Sequence, residues 1–261
     1  MSPNGSMDAL VDAIAHLERP LLVALDVDGT LAPIVEDPSR AKVPTATART
    51  LRHLRTVEGL ELALVTGRDA GQLERIVSIP GVWRVVEHGR AIIAPGEKPR
   101  GVAVEAEDRR KLARFKSWAH EHAGPRGAHV EEKDASVVVH VRKMAKDDPE
   151  GADAVLAEAR DAATELGLCV RDGRAVVEAQ LEPFDKGAAL RELIEAVGAT
   201  SVLYAGDDLT DEPAIRVAAA RGIGLFVRSA ERERFDEATA SLDGPEGVSD
   251  LLDALLAKLK P

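Results

Sequence analysis

Short apolar runs alternate with segments of helical periodicity at both ends of the chain. Runs of four to eight apolar residues are typical of buried strands, whereas apolar positions three and four residues apart are typical of helices. The strand-like runs lie at residues 21–25, 60–65, 202–205 and 223–227, and the helical segments lie at 45–57, from about Asp69, after Lys186 and from Glu212. This alternation predicts βαβ units, and therefore a Rossmann-like α/β core with a parallel sheet.

The pattern changes in the middle of the chain. It shows a charged helical segment at 111–122, an alternating apolar stretch at 137–141, a second helical segment at 149–166 and strand-like runs at 168–170 and 175–178. Turn-forming residues flank this part, with Pro95, Gly96, Pro99 and Gly101 at its entrance and residues 182–184 at its exit. We therefore expect a core domain of residues 1–100 and 182–261 that carries an inserted α+β domain at residues 101–181.

Composition excludes several classes of protein. The 261 residues carry a formal net charge of −11, and no basic cluster is interleaved with the aromatic residues, which argues against nucleic-acid binding. The apolar runs are far shorter than the roughly 20 residues of a membrane-spanning helix, and residues 1–6 contain no signal segment. We expect a cytoplasmic protein with no membrane or nucleic-acid partner. The single cysteine, Cys169, excludes an intrachain disulfide.

Two carboxylates directly follow the first predicted strand. Asp26 and Asp28 flank one residue and are followed by Gly29. Like charges so close raise the pKa of one carboxyl group unless a cation lies between them, so this spacing favours a divalent metal. The alternative is a turn in which aspartate and glycine supply positive φ angles and local hydrogen bonds.

A second acidic cluster follows another predicted strand. Asp207, Asp208, Asp211 and Glu212 lie within six positions, a density typical of an oxygen-ligand site for a hard cation. Magnesium fits best, because it takes a few carboxylates, keeps water ligands and binds substrate phosphate. Capping of a helix N-terminus is the alternative for Asp211 and Glu212, but it does not account for Asp207 and Asp208.

Phosphate-binding groups stand between the two clusters in the sequence. Thr66, Gly67 and Arg68 follow the second strand, and Lys186 begins a helix. A hydroxyl, backbone amides and a lysine at strand ends and helix starts suit the oxygens of a phosphoryl group. Thr66 alone would be an ordinary helix cap, but the order of all these motifs predicts one shared site.

That order resembles the haloacid dehalogenase superfamily of phosphotransferases. The motifs are Asp-Val-Asp-Gly-Thr at 26–30, Thr-Gly-Arg at 66–68, Lys186 and Gly-Asp-Asp at 206–208. Within the superfamily, residues 31–34 and 207–212, with the position and size of the insert, resemble the trehalose-6-phosphate phosphatase family and its α/β cap. The resemblance implies hydrolysis of trehalose 6-phosphate to trehalose and phosphate through an aspartyl-phosphate.

The resemblance also implies a role for each matching core residue. Asp26 is the expected nucleophile, and Asp28 is expected to protonate the leaving sugar oxygen and then to activate water. Thr66 and Lys186 are expected to bind the transferring phosphoryl group. Gly67, Arg68 and His88 are the expected substrate contacts of the core, although packing of His88 beside Gly89 at a turn is an equal alternative.

The implied cofactor is Mg²⁺. Asp26, Asp28 and Asp207 are its expected ligands, Asp28 through its backbone carbonyl, and Asp208 and Asp211 are expected in supporting positions. The implied substrate is a small sugar phosphate. The implied enzyme is a monomer or a weak oligomer, and a trehalose-6-phosphate synthase is its candidate functional partner.

The insert carries the expected sugar-binding residues. Glu131, Lys133 and Glu178 match the family's positions, with Arg142 and Arg174 as further candidates, but residues 131–134 can also be interpreted as a solvated charged turn. The resemblance implies a mobile cap that closes on the sugar, with hinges near Pro99 and Pro183.

Two departures from the family pattern affect the substrate side and not the catalytic motifs. The family usually carries His-Gly-x-Glu where this chain reads His88-Gly89-Arg90-Ala91, and a basic residue that often follows the last cap glutamate is absent from residues 179–182. Another sugar phosphate, of the glucosylglycerate or sucrose type, is therefore a competing candidate for the substrate. A non-catalytic sugar-phosphate-binding module and a phosphoglucomutase-like transferase are two competing functions, and the presence of every catalytic motif argues against the non-catalytic module.

Overall fold

The computed structural model describes residues 7–35, 37–98, 106–133, 135–173, 175–181, 185–229 and 232–259. The chain divides into two compact units, Met1–Pro99 together with Phe184–Pro261, and Arg100–Pro183. The proposed hinge residues Pro99 and Pro183, and the candidate Arg174, lie outside the described residues.

Strands and helices of the described residues are numbered along the chain. The strands are β1 Leu21–Asp26, β2 Leu60–Val65, β3 Trp83–Val86, β4 Ala91–Ile93, β5 His129–Glu132, β6 Ser136–His140, β7 Cys169–Gly173, β8 Val176–Gln180, β9 Ser201–Gly206, β10 Gly222–Arg228 and β11 Ala240–Asp243. The helices are α1 Met7–Ala15, α2 Thr45–Leu54, α3 Ala70–Ile76, α4 Ala106–Trp118, α5 Met144–Asp147, α6 Pro149–Glu165, α7 Lys186–Val197, α8 Glu212–Arg221 and α9 Gly244–Leu259.

The first unit is built on a seven-stranded sheet in the order β11-β10-β9-β1-β2-β3-β4. Its neighbouring strands pair in parallel, except that β4 is antiparallel to β3. The predicted parallel-sheet α/β core is therefore confirmed. Every residue of β1 is buried, because alternate side chains pack into two different cores. Burial on both faces explains why this strand reads as a continuous apolar run.

Helices cover both faces of this sheet. Leu21, Val23 and Leu25 pack into the core that contains the apolar residues of α1, α2 and α9. Leu22 and Ala24 pack into the core that contains those of α7 and α8. The amphipathic helices are thus held by burial of their apolar faces, at roughly 25 cal/mol per Å² of apolar surface removed from water.

Strand register brings the predicted site residues to one edge of the sheet. Asp26, the last residue of β1, lies opposite Val65 of β2, and Thr66 follows Val65. On the other side Leu25 lies opposite Ala205 of β9, and Asp207 comes two residues later. Carboxyl ends of parallel strands thereby converge, which is where open α/β sheets bind their ligands.

The second unit is a four-stranded antiparallel sheet in the order β5-β6-β8-β7. One face, which includes Val137, Val139 and Val177, packs against α4 and α6. The predicted α+β character of this segment is confirmed. Side chains alternate along strands, so Ser136, Val138 and His140 stand on the opposite face.

Several elements differ from the sequence-based predictions. The helix predicted over residues 45–57 ends at Leu54, and β5 takes up residues 129–132, part of which was also interpreted as a turn. Helices α1 and α9 and strand β11 were not predicted. Among the described residues, every helix is too short or too polar to cross a lipid bilayer.

Candidate active site

Lys186 lies between two buried carboxylates. Its ammonium donates to Asp26 Oδ1 at 2.6 Å and to Asp211 Oδ1 at 2.7 Å. Lys186 is the first residue of α7, and this helix start is fixed by Asp185, whose side chain accepts a hydrogen bond from the Ala188 amide at 2.7 Å. Burial would lower the pKa of Lys186, but the charges of Asp211 and Asp26 outweigh it and raise that pKa, so the ammonium is retained.

Asp211 is held by three donors. Its Oδ1 accepts from Lys186 and from the Tyr204 hydroxyl, the latter at 2.6 Å, and its Oδ2 accepts from the Asp208 amide at 3.1 Å. Asp211 is fully buried. Asp211 occupies the N-cap position of α8, as its alternative role predicted, but its side chain makes no cap hydrogen bond to that helix. It is instead the partner of Asp208 in the capping box of the 3₁₀ turn Leu209–Asp211.

The carboxylates of Asp26, Asp207 and Asp211 form one buried acidic group. Each offers an oxygen within 4.8 Å of the others. Burial raises the pKa of Asp26 well above its usual range, the charge of Asp211 raises it further, and Lys186 only partly opposes this. Burial, with a smaller contribution from Asp211, likewise raises the pKa of Asp207 to about 7. One ammonium does not balance three carboxylates, so a divalent cation with a preference for oxygen ligands fits this group.

The acidic group contains two of the expected metal ligands, and a third, Asp28, is expected to bind through its backbone carbonyl and not through its carboxylate. Among the described residues it includes Asp26 and Asp207 but not the carboxylates of Asp28 and Asp208. Asp208 is exposed and caps the turn, and the Asp28 carboxylate pairs with Arg68. Three of the roughly four acceptor positions of Asp211 are already occupied, so Asp26 and Asp207 are the better candidates for direct ligands.

Gly29 allows Asp207 to approach the loop after β1. Its φ is +86°, and a Cβ at this position would lie 2.1 Å from Asp207 Oδ2. Only glycine leaves that space at an acceptable conformational cost. The adjacent Thr30 hydroxyl donates to Asp207 Oδ1 at 3.4 Å. The glycine and threonine of the first motif therefore position an acid of the last motif.

Arg68 forms a bidentate salt bridge with Asp28. Its Nε donates to Asp28 Oδ2 at 2.6 Å and its Nη2 to Oδ1 at 2.7 Å. Nη2 also donates to the Pro38 carbonyl at 3.0 Å. The predicted substrate contact Arg68 is thus placed on the carboxylate that was expected to act as acid and base.

Thr66 and Gly67, which follow β2, contact His88 in the 3₁₀ turn Glu87–Gly89 after β3. Thr66 is buried, and its hydroxyl accepts a hydrogen bond from the Arg68 amide at 3.1 Å. The His88 amide donates to the Thr66 carbonyl at 3.0 Å. A Cβ on Gly67 would lie 2.3 Å from the His88 imidazole, so the ring packs directly on this glycine. The imidazole thus packs on Gly67, whereas the alternative interpretation placed it beside Gly89, and substrate contact by His88 stays a prediction.

The three predicted sugar-binding residues share one face of the second unit's sheet. Glu131 and Glu178 both lie opposite Val138, from the two sides of β6. Glu178 Oε1 accepts from Ser136 at 2.6 Å and from Lys133 at 3.4 Å. Glu131 lies in β5 and Lys133 contacts the buried Glu178, so these two residues do not belong to a freely solvated turn.

Glu131 is tied to a histidine of the same sheet. Its Oε2 lies 2.9 Å from His140 Nε2, and this hydrogen bond lowers the pKa of Glu131. Arg142, one of the further candidates, is exposed after β6.

Arg90 lies in the first segment that departs from the family pattern, and it pairs with a nearby glutamate. Arg90 Nη1 donates to Glu87 Oε2 at 2.9 Å, and the Arg90 side chain is only 4% exposed. Ala91 begins β4. A paired arginine therefore occupies the segment in which the family usually carries a glutamate.

The model of the trehalose-phosphatase family matches residues 24–243. The chain belongs to the trehalose-phosphatase family. A trehalose-phosphate phosphatase of Mycobacterium tuberculosis is 30% identical over 263 residues, which cover 98% of this chain and 66% of the relative. An uncharacterised glycosyl hydrolase of the same organism is 34% identical over 278 residues, covering 98% of this chain and 21% of the relative. The chain therefore spans about two thirds of the one relative and about a fifth of the other.

Solved structures agree on the fold. The trehalose-6-phosphate phosphatase of Aspergillus fumigatus superposes with a TM-score of 0.72 at 24% identity, covering 99% of this chain and 100% of the other. A haloacid dehalogenase-like hydrolase from Bacteroides thetaiotaomicron superposes with a TM-score of 0.61 at 16% identity, covering 89% and 98%. The resemblance found from the motifs is confirmed.

Tyr204 was missed by the sequence analysis. Its position in the apolar run 202–205 was interpreted only as part of a buried strand. The signal that could have found it was chemical, because a tyrosine inside a buried strand needs a partner for its hydroxyl. No comparable signal pointed to the Arg68–Asp28 pair, whose members are 40 residues apart.

Proposed function

We propose that this protein hydrolyses trehalose 6-phosphate to trehalose and inorganic phosphate. The observation that carries the proposal is the buried Asp26 at the end of β1, paired with Lys186 and grouped with Asp207, in a chain of the trehalose-phosphatase family. The relatives named trehalose-phosphate phosphatase support the choice of substrate.

The chemistry follows from two carboxylates with different surroundings. A carboxylate oxygen of Asp26 attacks phosphorus, the bond from phosphorus to the sugar oxygen breaks, and protonated Asp28 gives its proton to that oxygen. Water then attacks the phosphorus of the aspartyl-phosphate, and Asp28 takes a proton from that water. The bond between phosphorus and the Asp26 oxygen breaks, its electron pair returns to the Asp26 carboxylate, and phosphate is released. Asp28 is partly exposed and paired with Arg68, whereas Asp26 is buried and paired with Lys186.

Positive charge is needed where the phosphoryl group sits. Lys186 and the hydroxyl of Thr66 are the core groups that would hold its oxygens, and Lys186 also orients Asp26. We propose Mg²⁺ as the cofactor, with Asp26 and Asp207 as carboxylate ligands and with the Asp28 carbonyl, as the family resemblance implies. When bound, this ion supplies charge neutralisation for the phosphoryl group.

The sugar is proposed to contact Glu131, Lys133 and Glu178. Hydroxyl groups of a disaccharide suit such clustered donors and acceptors, because each polar group of a closed site needs a partner. The second unit would act as a cap that closes over the sugar and excludes water. A different sugar phosphate is the second candidate substrate, since Ala91 stands where the family usually carries a glutamate.

A substrate panel tests the proposal. Phosphate release is measured from trehalose 6-phosphate, sucrose 6-phosphate, glucosyl-3-phosphoglycerate and glucose 6-phosphate, with Mg²⁺ and with chelator. The expected result is preferential, Mg²⁺-dependent release from trehalose 6-phosphate. A preference for another ester would replace the substrate, a phosphorylated sugar product without free phosphate would indicate a transferase, and full activity in chelator would exclude the metal assignment.

A further inference from the structure

Tyr204 is the only tyrosine of the chain and lies fully buried in β9. Its ring belongs to the apolar core between the sheet and helices α7 and α8. Its hydroxyl donates to Asp211 Oδ1 at 2.6 Å, and this same oxygen accepts from Lys186 at 2.7 Å. A buried hydroxyl is therefore connected to the proposed nucleophile by a chain of hydrogen bonds that runs through Asp211 and Lys186 to Asp26.

Two donors compete for one oxygen of Asp211. An ammonium that lies between two carboxylates moves toward the one that is the stronger hydrogen-bond acceptor. The Tyr204 hydroxyl satisfies part of the acceptor capacity of Asp211 Oδ1 and so weakens its hold on Lys186. Burial and the nearby charge of Asp211 raise the pKa of Tyr204 well above its ordinary value, which keeps the hydroxyl protonated as a donor.

We infer that Tyr204 is a positioning residue that, through Asp211, keeps the Lys186 ammonium on Asp26. This inference rests on the phosphatase activity proposed above. Without the hydroxyl, Asp211 draws the ammonium toward itself, and Asp26 loses the group that orients its carboxylate and stabilises its charge. The phosphoryl-transfer step then slows, while the proposed sugar contacts Glu131, Lys133 and Glu178 are untouched.

The first test removes the hydroxyl and keeps the ring. In Tyr204→Phe, kcat for phosphate release should fall about tenfold or more, with KM changed less than about twofold, as expected for an interaction that acts on the transition state. Thr50→Val is the matched control, because Thr50 is a buried hydroxyl that donates to the Asp253 carboxylate on α9, away from the site. A Tyr204→Phe protein that folds and keeps kcat within about twofold of wild type would overturn the inference.

The second test asks whether the effect passes through Asp211. In an Asp211→Asn background, Tyr204→Phe should lower kcat less than about twofold, because residues that act through one another are not additive. The same loss in both backgrounds would mean that Tyr204 acts only by general packing, and it would overturn the inference.

The third test does not depend on activity. Because the chain has a single tyrosine, biosynthetic 3-fluorotyrosine gives one ¹⁹F resonance, that of Tyr204. Asp211→Asn should shift this resonance, and Thr50→Val should not. An unchanged resonance in Asp211→Asn would show that the contact is absent and would overturn the inference, even if Tyr204→Phe fails to fold. A wild-type protein that releases no phosphate but shows the ¹⁹F shift would instead disprove the proposed function and keep the contact.

Discussion

Arg68 binds Asp28 through two parallel hydrogen bonds, from Nε to Oδ2 at 2.6 Å and from Nη2 to Oδ1 at 2.7 Å. This fork geometry fixes both the position and the plane of the carboxylate, which a lysine cannot do. Arg68 is itself anchored on the Pro38 carbonyl. The proposed acid and base is therefore held in one orientation before substrate arrives, and proton donation requires that the pair loosens.

Loss of this clamp should slow proton transfer. We expect Arg68→Ala to lower kcat/KM by roughly 10- to 100-fold, because positioned acid–base catalysis typically contributes about 10²–10⁴-fold. Arg68→Lys should recover only part of the loss, since it restores the charge but not the fork. Steady-state kinetics on the preferred sugar phosphate measure kcat/KM of the two variants. Arg126→Lys is the control and should be neutral, because it alters an ion pair on the surface of the second unit in which Arg126 Nη1 donates to both oxygens of Glu158. Equal activity of Arg68→Ala and wild type would exclude the positioning role.

Removal of the proposed nucleophile should separate activity from stability. In Asp26→Asn the rate should fall below about one-thousandth of wild type, because an amide cannot form the acyl phosphate. Thermal stability in chelator should stay the same or rise, because burial makes the Asp26 charge unfavourable in the folded protein. Phosphate release and a melting curve test this, with the exposed Asp172→Asn as control. A rate of Asp26→Asn above about one-thousandth of the wild-type rate would contradict the covalent route.

Much of the fold was predictable because strands β1, β2, β9 and β10 are buried on both faces and read as apolar runs. Helix α7 was predictable from the helical spacing of its apolar residues and from Asp185, a polar residue directly before it. Strand β5 was ambiguous, because Glu131 and Glu132 point to opposite faces and both carry charge. Burial of one of them depends on a sheet that local sequence does not encode.

The site was predictable to the level of motifs but not of contacts. Asp26, Thr66, Lys186 and Asp207 follow predicted strands or begin a predicted helix, so parallel pairing brings them to one edge. Sequence alone could not decide whether Asp208 or Asp211 joins the buried acidic group, because this depends on which side chain turns inward after β9. In the structure it is Asp211, because Lys186 and Tyr204 bind it from neighbouring elements. Such contacts are long-range and leave no periodic signal.

The acidic group should make the metal-free protein less stable as pH rises. A carboxyl group whose folded pKa exceeds its unfolded value contributes stability below the unfolded pKa and loses it as pH rises through the folded pKa. For Asp207 this window runs from the ordinary 3.8 to about 7, a contribution of a few kcal/mol at roughly 1.4 kcal/mol per pKa unit. The raised pKa of Asp26 acts in the same direction.

Melting temperatures in chelator and in Mg²⁺ measure this effect. In chelator the Asp207→Asn protein should lose less stability between pH 5 and pH 7.5 than the wild type does. Mg²⁺ should raise the wild-type melting temperature more at pH 7.5 than at pH 5, because it binds the ionised carboxylates. Parallel pH profiles of the two proteins, or a Mg²⁺ effect that is larger at pH 5, would contradict the role of Asp207.

The sheet face of the second unit should determine which phosphate ester is used. Glu131 and Glu178 flank Val138, and Lys133 contacts Glu178, so these three side chains form one polar surface. A generic ester such as p-nitrophenyl phosphate has no sugar hydroxyls to offer this surface. Its hydrolysis needs only the groups of the first unit.

Replacement of these side chains should therefore affect the two substrates differently. Glu131→Gln, Lys133→Met and Glu178→Gln should each lower kcat/KM for trehalose 6-phosphate about tenfold or more, since an unpaired polar group in a closed site costs about 1–3 kcal/mol. Activity on p-nitrophenyl phosphate should stay within about twofold. Glu132→Gln is the matched control, because its side chain lies beside Glu131 in sequence but pairs with Lys116 and His120. Equal losses on both substrates would indicate damage to the fold, and no loss on either would exclude a role of these side chains in sugar binding.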